Sequence, residues 1–306
     1  MKSLLAVLGS SIDEFYESDT YPMEGDFSHA RYLGRAAGGC PLNVACVCGS
    51  QGGNVKALDY LSKDDESSKF IVSNLNKYNV NTDNIQYGEA SNGKVVIINT
   101  GDKRTMFVVD PKRPHYVVDD KIQKLLNEST YIYSLLHMFE RSFENIEPLL
   151  KAKENGAKIV IDGTSKYDDL KRSEMLLKLA DGLFINETDY ERLCQSINKD
   201  GKDELLKNGC EFVCITNGSN GTNLYTQEGH YYAPSLKLDK VVDSTGAGDS
   251  FAGAFLNARL SDLPFDKCLK IASATGAYAC TNFGGQGGCC SLDEIYNFAK
   301  KNNYEI

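Results

Sequence analysis

The chain has 306 residues, of which 42% are hydrophobic and 25% are charged, and its formal net charge is −9. These proportions are typical of a globular protein. The net negative charge argues against a general nucleic-acid-binding surface. No stretch is long and apolar enough to span a bilayer, and the ten cysteines include no C-x-x-C pair. We therefore predict a cytoplasmic protein with reduced thiols that binds neither nucleic acid nor membrane.

Short apolar runs alternate with helix-like stretches along the chain and predict the main sheet. The first run covers residues 4–8 and ends at a Gly-Ser-Ser tripeptide, and further runs cover 131–136, 159–161, 182–185 and 212–215. Strands that alternate with helices in this way form a mostly parallel sheet with helices on both faces. We predict one α/β domain over residues 1–306, with ligands bound beyond the carboxyl ends of its strands.

Two stretches, residues 14–36 and 93–110, interrupt this pattern. The first has aromatic residues and proline between charges and shows no helical period. The second contains β-branched runs at 94–100 and 105–109, joined at Gly101-Asp102-Lys103-Arg104 as in a hairpin. We interpret both stretches as one small β-sheet lid inserted into the α/β core.

The segment 241–255 carries the most informative chemistry. Its apolar residues recur at helical spacing, so a helix is predicted to begin near Ala247 and Gly248. Gly246 and Gly248 let backbone N–H groups approach an anion, and a helix N-terminus adds partial positive charge. Asp249 follows in the first turn, where a carboxylate can accept a hydroxyl proton while the N–H groups stabilise a phosphoryl group in transfer. Taken alone, an aspartate here could also be a simple helix cap.

Two motifs relate the chain to a known family. Residues 243–251, Asp-Ser-Thr-Gly-Ala-Gly-Asp-Ser-Phe, resemble the C-terminal signature of the ribokinase-like, or PfkB-type, carbohydrate kinases. Residues 38–45, Gly-Gly-Cys-Pro-Leu-Asn-Val-Ala, resemble the family's N-terminal glycine motif in the form common among fructokinase-like members. The resemblance covers essentially the whole chain. It implies a ribokinase-like fold and an ATP-dependent kinase that phosphorylates a hydroxyl of a sugar or sugar derivative.

On the acceptor side, the resemblance implies a general base, an anion hole of main-chain amides and a group of substrate-binding residues. The base is Asp249, and the amides are those of Gly246, Ala247 and Gly248. The substrate-binding residues are Asp13, Gly38, Gly39 and Asn43. From residue preferences alone, Asp13 could equally be a turn residue and Asn43 a helix cap.

On the nucleotide side, the resemblance implies ATP and Mg²⁺, with a monovalent cation such as K⁺ in some members. The implied ATP contacts are Asn186, Thr216, Gly218, Gly221 and Asn282. The N-x-x-E motif associated with Mg²⁺ has Asp189 in its fourth position here, one methylene shorter than glutamate, and Glu187 or Glu191 could substitute. The monovalent-cation site would use Asp243 and Thr245 with main-chain carbonyls between residues 279 and 288.

The residues around the lid bear on the substrate and on the assembly. A basic cluster of Lys103, Arg104, Lys112 and Arg113 would favour an acidic substrate, although most such clusters are simply solvated. Glu140 falls near a substrate-contacting glutamate of the family. Exposed lid strands are a common dimer surface in the family, so we expect a homodimer acting on a small molecule.

Other functions stay open at this point. A nucleoside kinase or a sugar-acid kinase would use the same chemistry, and a catalytically silent protein of this fold could sense a nucleotide or a sugar. The intact Gly-Ala-Gly-Asp sequence argues against the silent protein. A dehydrogenase is disfavoured because no G-x-G-x-x-G follows the first strand, and a P-loop kinase because no G-x-x-x-x-G-K-[ST] occurs.

Overall fold

A computed structural model describes residues 1–101, 103–163 and 170–306. Its strands are β1 (Leu4–Val7), β2 (Ser11–Glu17), β3 (Arg31–Gly38), β4 (Val55–Leu58), β5 (Tyr60–Ser62), β6 (Val80–Asn81), β7 (Gln86–Gly88), β8 (Gly93–Thr100), β9 (Lys103–Val109), β10 (Tyr131–Leu135), β11 (Lys158–Asp162), β12 (Gly182–Asn186), β13 (Phe212–Thr216), β14 (Thr222–Tyr225) and β15 (His230–Ala233). Its helices are α1 (Cys40–Ser50), α2 (Glu66–Lys77), α3 (Asp120–Glu128), α4 (Leu136–Ser142), α5 (Glu147–Glu154), α6 (Leu170–Leu179), α7 (Glu187–Ile197), α8 (Gly201–Lys207), α9 (Ala247–Leu260), α10 (Phe265–Ala279) and α11 (Leu292–Lys301).

Within the described residues, the main sheet has nine strands in the order β15-β14-β13-β12-β11-β10-β1-β4-β6. Neighbouring strands are parallel from β13 to β6, whereas β14 and β15 add an antiparallel edge. The central strands β1 and β10 are buried at every residue, as expected of parallel strands covered by helices on both faces. The predicted mostly parallel α/β sheet is confirmed.

Alternation along β1 separates two cores, one on each face of the sheet. Leu4 packs into the core that contains α1, α9 and α10, and Leu5 packs into the core on the opposite face. On the first face, the ring of Phe255 lies 5.0 Å from that of Phe212 and 5.3 Å from that of Phe184, centroid to centroid. These aromatic contacts hold α9 against the sheet and so fix the position of its N-terminus.

The predicted lid is a four-stranded sheet in the order β3-β2-β8-β9. It includes the expected β8–β9 hairpin, in which Thr100 pairs with Lys103; Asp102, predicted in the turn, lies outside the described residues. Strand β2 begins slightly before the predicted segment 14–36, because it follows β1 closely. Strand β3 ends slightly after that segment, because it leads directly to α1. The lid is therefore connected to the sheet through the glycine motif.

Two chain-wide features complete the description of the fold. Among the described residues, no helix combines the length and the apolar character needed to cross a membrane. The ten cysteines are free thiols, and six of them are buried. Burial raises the pKa of the Cys46 thiol to about 12, which keeps this group protonated and unreactive.

Candidate active site

The turn before α9 has a backbone that requires glycine at one position and leaves open space at another. Gly246 caps α9 with φ of 72°, and a Cβ there would overlap the carbonyl oxygen of Gly285. A Cβ at Gly248 would meet no atom within 4 Å. Conformation therefore demands glycine at position 246, whereas glycine at position 248 leaves room for a ligand.

The N–H groups at the start of α9 are only partly used by the protein. The N–H of Ala247 donates to the carbonyl of Ser244 at 3.3 Å. Within the described part of the chain, the N–H groups of Gly246 and Gly248 have no backbone acceptor. Two of the three predicted amides thus remain able to donate to an anion, and the N-terminus of a 14-residue helix attracts negative charge.

Asp249 lies in the first turn of α9, and its side chain is partly buried. Asn43 Nδ2 donates to Asp249 Oδ2 at 2.7 Å, and the Cys40 thiol also donates to this carboxylate. Burial raises the pKa of Asp249 to about 6, and the two hydrogen bonds oppose the rise because they stabilise the charged form. Such a carboxylate is ionised at neutral pH yet basic enough to take up a proton, which a general base requires.

The glycine motif before α1 positions Asn43. Gly39 has φ of 111°, and α1 begins at the next residue with Pro41 in its first turn. Asn43 is buried in α1, and its side-chain amide is directed to Asp249 across 206 residues of sequence. Asn43 is therefore not a helix cap. The N-cap of α1 is Gly39, which makes no side-chain hydrogen bond.

Asp13 lies within β2 and not in a turn, so the turn alternative is wrong. In the lid sheet, Asp13 is paired with Ala36 of β3. A Cβ at the nearby Gly38 would overlap the Asp13 carboxylate. Ser11 Oγ donates to Asp13 Oδ1 at 3.0 Å, and burial raises the pKa of Asp13 despite this hydrogen bond. Its carboxylate retains acceptor positions that could receive hydroxyl groups.

A cavity of about 730 Å³, which we call the lid cavity, opens between the lid and the start of α1. Gly39 lines it directly, and so does Ser11, the hydrogen-bond partner of Asp13. Asp13, Gly38 and Asn43 themselves do not line it. Its acidic, basic and histidine lining residues are Lys94, Asp110, Lys112, Arg113, His115, His137, Glu140 and Arg141. Glu140 and two members of the predicted basic cluster are thus brought to this cavity.

Arg113 is the most firmly held of the charged residues in the lid cavity. Its guanidinium donates to the carbonyl of Ser10 at 2.7 Å and lies 3.7 Å from the carboxylate of the fully buried Asp59. Lys94 and Arg141 are paired with Glu14 and Asp110. Because these acidic partners offset the basic residues, the cavity is not strongly positive.

A second cavity, of about 1080 Å³, lies on the other side of the α9 N-terminus, and we call it the loop cavity. Sequence reasoning predicted several of its lining residues: Thr216, Gly218, Gly221, Ala247 and Gly248. It missed the contribution of α10, namely Ser273, Gly276 and Ala277. Small residues along α10 were the available signal, but the same pattern is typical of close helix packing.

Asn282 is not brought to the loop cavity. Its side-chain amide donates to the carbonyl of Tyr278 at 3.1 Å and to that of Gly287 at 3.0 Å. These bonds fold the segment after α10 back on itself, so Asn282 stabilises the loop that faces Gly246. The ATP contact that the family resemblance implied for Asn282 is not supported by this position, because its side-chain amide is engaged within the loop.

Asn186 and Asp189 lie at the same edge of the sheet, beside Thr216. Asn186 caps α7, with its Oδ1 accepting from the N–H of Asp189 at 2.9 Å, and its Nδ2 donates to Asp189 Oδ2 at 2.7 Å. Arg192 forms an ion pair with the other oxygen of Asp189 at 2.9 Å. Asp189 is thereby engaged within α7, whereas Glu187 is exposed and accepts from Asn217 at 2.5 Å.

Asp243 and Thr245 form a compact turn before α9. Asp243 Oδ1 accepts from the N–H of Thr245 at 2.9 Å and from its hydroxyl at 2.6 Å, and Oδ2 accepts from the N–H of Gly284 at 3.0 Å. Burial alone would raise the pKa of Asp243, but these hydrogen bonds lower it overall. Among the described residues, no group of three or more His, Cys, Asp or Glu side chains could hold a metal ion.

Asp249 lies between the two cavities. Its neighbour Gly248 lines the loop cavity, and its hydrogen-bond partner Cys40 lines the lid cavity, although Asp249 itself lines neither. A proton acceptor thus stands between one space with charged and polar side chains and another with backbone amides at a helix N-terminus.

This fold and this site define an α/β kinase of the ribokinase type. A family model described as pfkB family carbohydrate kinase matches residues 2–291. The chain therefore belongs to the pfkB family of carbohydrate kinases, as its two motifs predicted.

Individual proteins and structures resemble the chain along its whole length. A nucleoside kinase from Methanocaldococcus jannaschii is 24% identical over 98% of both chains. The probable fructokinase-2 of Arabidopsis thaliana is 26% identical over 98% of this chain and 96% of its own. The ribokinase of Thermotoga maritima superimposes with a TM-score of 0.84 at 19% identity, covering 98% of this chain and 100% of its own. The predicted ribokinase-like fold and carbohydrate kinase class are confirmed.

Proposed function

We propose that the chain transfers the γ-phosphoryl group of ATP to a hydroxyl of a sugar or sugar derivative, with Asp249 as the general base. The observation that carries this proposal is the position of the Asp249 carboxylate, between the lid cavity and the loop cavity and beside two available N–H groups. In this proposal the acceptor occupies the lid cavity, and ATP occupies the loop cavity.

The proposed reaction needs one proton acceptor and a set of amide donors. Asp249 accepts the proton of the acceptor hydroxyl, whose oxygen forms the new bond to the γ-phosphorus. The bond between that phosphorus and the bridging oxygen breaks, and ADP leaves with its electron pair. The N–H groups of Gly246 and Gly248 stabilise charge on the phosphoryl oxygens, with Ala247 contributing mainly to the turn. Asp13 does not line the lid cavity itself, but its hydrogen-bond partner Ser11 does, and we assign to Asp13 the role of orienting the acceptor through its hydroxyl groups.

The residues around the loop cavity suit a nucleotide. Gly218 and Gly248 face open space, so the backbone there can approach phosphate oxygens closely, and we assign ATP contacts also to Thr216 and Gly221. Mg²⁺ would neutralise phosphate charge when it is bound. Since Asp189 is already paired with Arg192, we propose that Asn186 and Asp189 act through water and that the exposed Glu187 is the better acidic group for the ion.

A K⁺ site at Asp243 and Thr245 would have few free side-chain oxygens. Both oxygens of Asp243 already accept hydrogen bonds from the protein. A cation here would have to rely mainly on main-chain carbonyls from the loop after α10. A comparison of rates in K⁺, Na⁺ and a non-coordinating organic cation at constant ionic strength would decide whether such a site matters.

The names of the similar proteins support two candidate classes of acceptor. Similarity to fructokinases and ribokinases supports a free sugar as the acceptor, and we take a sugar as the first candidate. Similarity to the nucleoside kinase of M. jannaschii over the whole chain supports a nucleoside as the second candidate. A sugar acid stays possible within the same chemistry, because Arg113 and Lys112 line the lid cavity.

We further propose a homodimer that forms through the lids. The edge strands of the lid expose large apolar side chains that a partner lid would cover: Tyr32 and Leu33 on β3, and Met106 and Phe107 on β9. Exposed edge strands with apolar side chains favour pairing with another chain. Light scattering of the purified protein would test this proposal, and a strictly monomeric enzyme would refute it.

The proposed function is tested by an ATP-consumption screen with ketoses, pentoses, sugar acids, sugar phosphates and nucleosides. Asp249→Asn serves as the matched control, because it keeps the side-chain shape and removes the charge. We expect ADP to form with at least one acceptor class in the wild-type protein and not in the variant. ATP binding without turnover of any acceptor would instead support a sensor of nucleotide or sugar.

A further inference from the structure

Contacts with the rest of the protein hold Arg113 in place at the lid cavity. Its guanidinium donates through Nη2 to the carbonyl of Ser10 at 2.7 Å, and Nη1 lies 3.7 Å from the carboxylate of Asp59. Pro111 and Pro114 restrict the backbone on either side of it. The Arg113 side chain is only 15% exposed, and it lines the cavity. A guanidinium held in this way loses little freedom when a ligand binds to it.

The ion pair between Arg113 and Asp59 is not explained by stability alone. Asp59 is fully buried, and the cost of removing two charges from water can exceed their mutual attraction. An apolar pair of similar size would serve the fold equally well. The distance of 3.7 Å is also too long for a hydrogen bond, so the carboxylate offsets the charge of Arg113 without taking up its donors.

Arg113 stands next to the residues that we assign to the acceptor. Its partner Ser10 directly precedes Ser11, whose hydroxyl donates to Asp13 Oδ1 at 3.0 Å. Gly93 pairs with Ser11 between β8 and β2, and a Cβ at Gly93 would lie 3.1 Å from Arg113 Nη2. Ser11 and Gly93 line the same cavity as Arg113. An acceptor with hydroxyl groups directed to Asp13 would therefore place a neighbouring substituent on the Arg113 side of the cavity.

The charge of the lid cavity suits a ligand group with one negative charge better than a group with two. Two other basic lining residues, Lys94 and Arg141, are paired with acidic side chains, and Asp59 offsets part of the charge of Arg113. A carboxylate carries one charge and matches the planar fork of a guanidinium with two parallel hydrogen bonds. A phosphate group, with a charge of about −1.5 to −2, would be less well compensated here.

We propose that the acceptor is a sugar acid and that Arg113 binds its carboxylate. This inference rests on the proposed function, because it needs the acceptor in the lid cavity, and it selects one class of sugar derivative. Asp13 and Asp249 act on hydroxyl groups, whereas Arg113 distinguishes the acid from the neutral sugar. A site that donates hydrogen bonds to one substrate group discriminates against an analogue without that group, because the donors are then left unpaired.

The test uses acceptors that differ only in the group that Arg113 would bind. The acid 2-ketogluconate is fructose with a carboxylate in place of the C1 alcohol, and fructose 1-phosphate carries a phosphate there. Aldonic acids and their alditols provide further pairs. We expect kcat/KM of the wild-type enzyme to be higher for the acid by at least on the order of tenfold. In Arg113→Met, the KM for the acid should rise by on the order of tenfold, while the KM for the neutral sugar changes by less than about threefold.

Two further variants and a binding measurement sharpen the test. The double variant Asp59→Asn/Arg113→Met leaves no buried carboxylate unpaired, so it serves if the single variant folds poorly, and it should lose the same preference. Lys151→Met changes an exposed residue that lines neither cavity and should behave like the wild type. Calorimetric titration with the acids and the neutral sugars, without ATP, measures the preference in binding alone.

Three results would overturn the inference. The first is a wild-type enzyme that shows no preference for the acids or prefers a neutral sugar or a nucleoside. The second is a stronger preference for the sugar phosphate, and the third is a preference for the acids that persists in both Arg113 variants. A wild-type protein that phosphorylates no acceptor, or a fully active Asp249→Asn, would instead refute the proposed function. Calorimetry would then still decide the inference, since it requires acid binding that the Arg113 variants lose.

Discussion

The two cavities on either side of Asp249 are built from different parts of the chain. Near α9, the loop cavity is lined by small residues that obstruct the main chain little, namely Ala247, Gly248, Ser273, Gly276 and Ala277. The lid cavity is lined by charged side chains from the lid and from the segments after β9 and β10. Main-chain recognition suits a ligand that does not vary, whereas side-chain recognition allows related proteins to accept different substrates.

This difference also explains which parts of the site the sequence reveals. A main-chain site needs glycine at particular positions: a Cβ at Gly246, where φ is positive, would overlap Gly285, and glycine at position 248 keeps the space beside the backbone open. A side-chain site can be assembled from any polar residues that the fold brings together. The loop cavity therefore leaves a recognisable motif, and the lid cavity does not.

The largest expected effect is that of Asp249→Asn, which tests the proposed general base between the two cavities. Loss of the proposed base should lower kcat by on the order of 10²–10⁴-fold. The affinity for ATP should change little, because the amides of the loop cavity stay in place. The rate is measured under saturating ATP and acceptor, and nucleotide affinity by calorimetry. Turnover near the wild-type rate would remove Asp249 from the mechanism.

A pair of glycine substitutions separates folding from ligand binding in the loop cavity. Gly246→Ala forces a Cβ into the Gly285 carbonyl at positive φ, and should lower the free energy of unfolding by about 2–4 kcal/mol. Gly248→Ala meets open space, so its stability should stay near that of the wild type. Its affinity for ATP should nevertheless fall by on the order of tenfold, equivalent to about 1.4 kcal/mol.

Chemical denaturation and nucleotide titration of both variants check this prediction. A stable Gly246→Ala would show that the turn is less constrained than its backbone indicates. Unchanged ATP binding in Gly248→Ala would mean that phosphate does not approach the start of α9, and the assignment of the anion hole would then be wrong.

Much of the fold and of the loop cavity could be predicted because both depend on local patterns. The start of α9 and the placement of Asp249 in its first turn follow from helical spacing and glycine positions. The contacts of Arg113 could not be predicted, since its acceptor on Ser10 is 103 residues away. The place of Asn282 was missed for a similar reason: its amide bonds within a loop whose path no periodicity indicates.

Loss of Arg113 should weaken binding of the acceptor in the lid cavity, whereas Gly248→Ala should weaken binding of ATP in the loop cavity. Arg113→Met removes the donor near Ser10 and leaves the buried Asp59 without its ion-pair partner, which should lower the free energy of unfolding by about 1–3 kcal/mol. The KM for the acceptor should rise by on the order of tenfold, with the KM for ATP unchanged. Steady-state kinetics check this, with Lys151→Met, a variant of an exposed residue that lines neither cavity, as the control. A rise in the KM for ATP alone would contradict the division between the cavities.

The smallest expected effect concerns the pH dependence that Asn43 imposes on Asp249. A base must be ionised to act, so kcat/KM of the wild-type enzyme should fall as the pH drops through about 6, the raised pKa of Asp249. Asn43 stabilises the charged form through its 2.7 Å hydrogen bond. Asn43→Ala should therefore raise the pKa of Asp249 further and move the acidic limb of the profile to higher pH.

Cys40→Ala provides the graded comparison for this prediction. The thiol is the weaker of the two donors to Asp249, so its loss should move the acidic limb in the same direction by a smaller amount. Well above the limb, both variants should approach their own plateau rates, because Asp249 is then fully ionised. Profiles of kcat/KM against pH for the wild type and both variants make the comparison. A limb that moves to lower pH in Asn43→Ala, or one that does not move, would mean that the acidic limb belongs to another group.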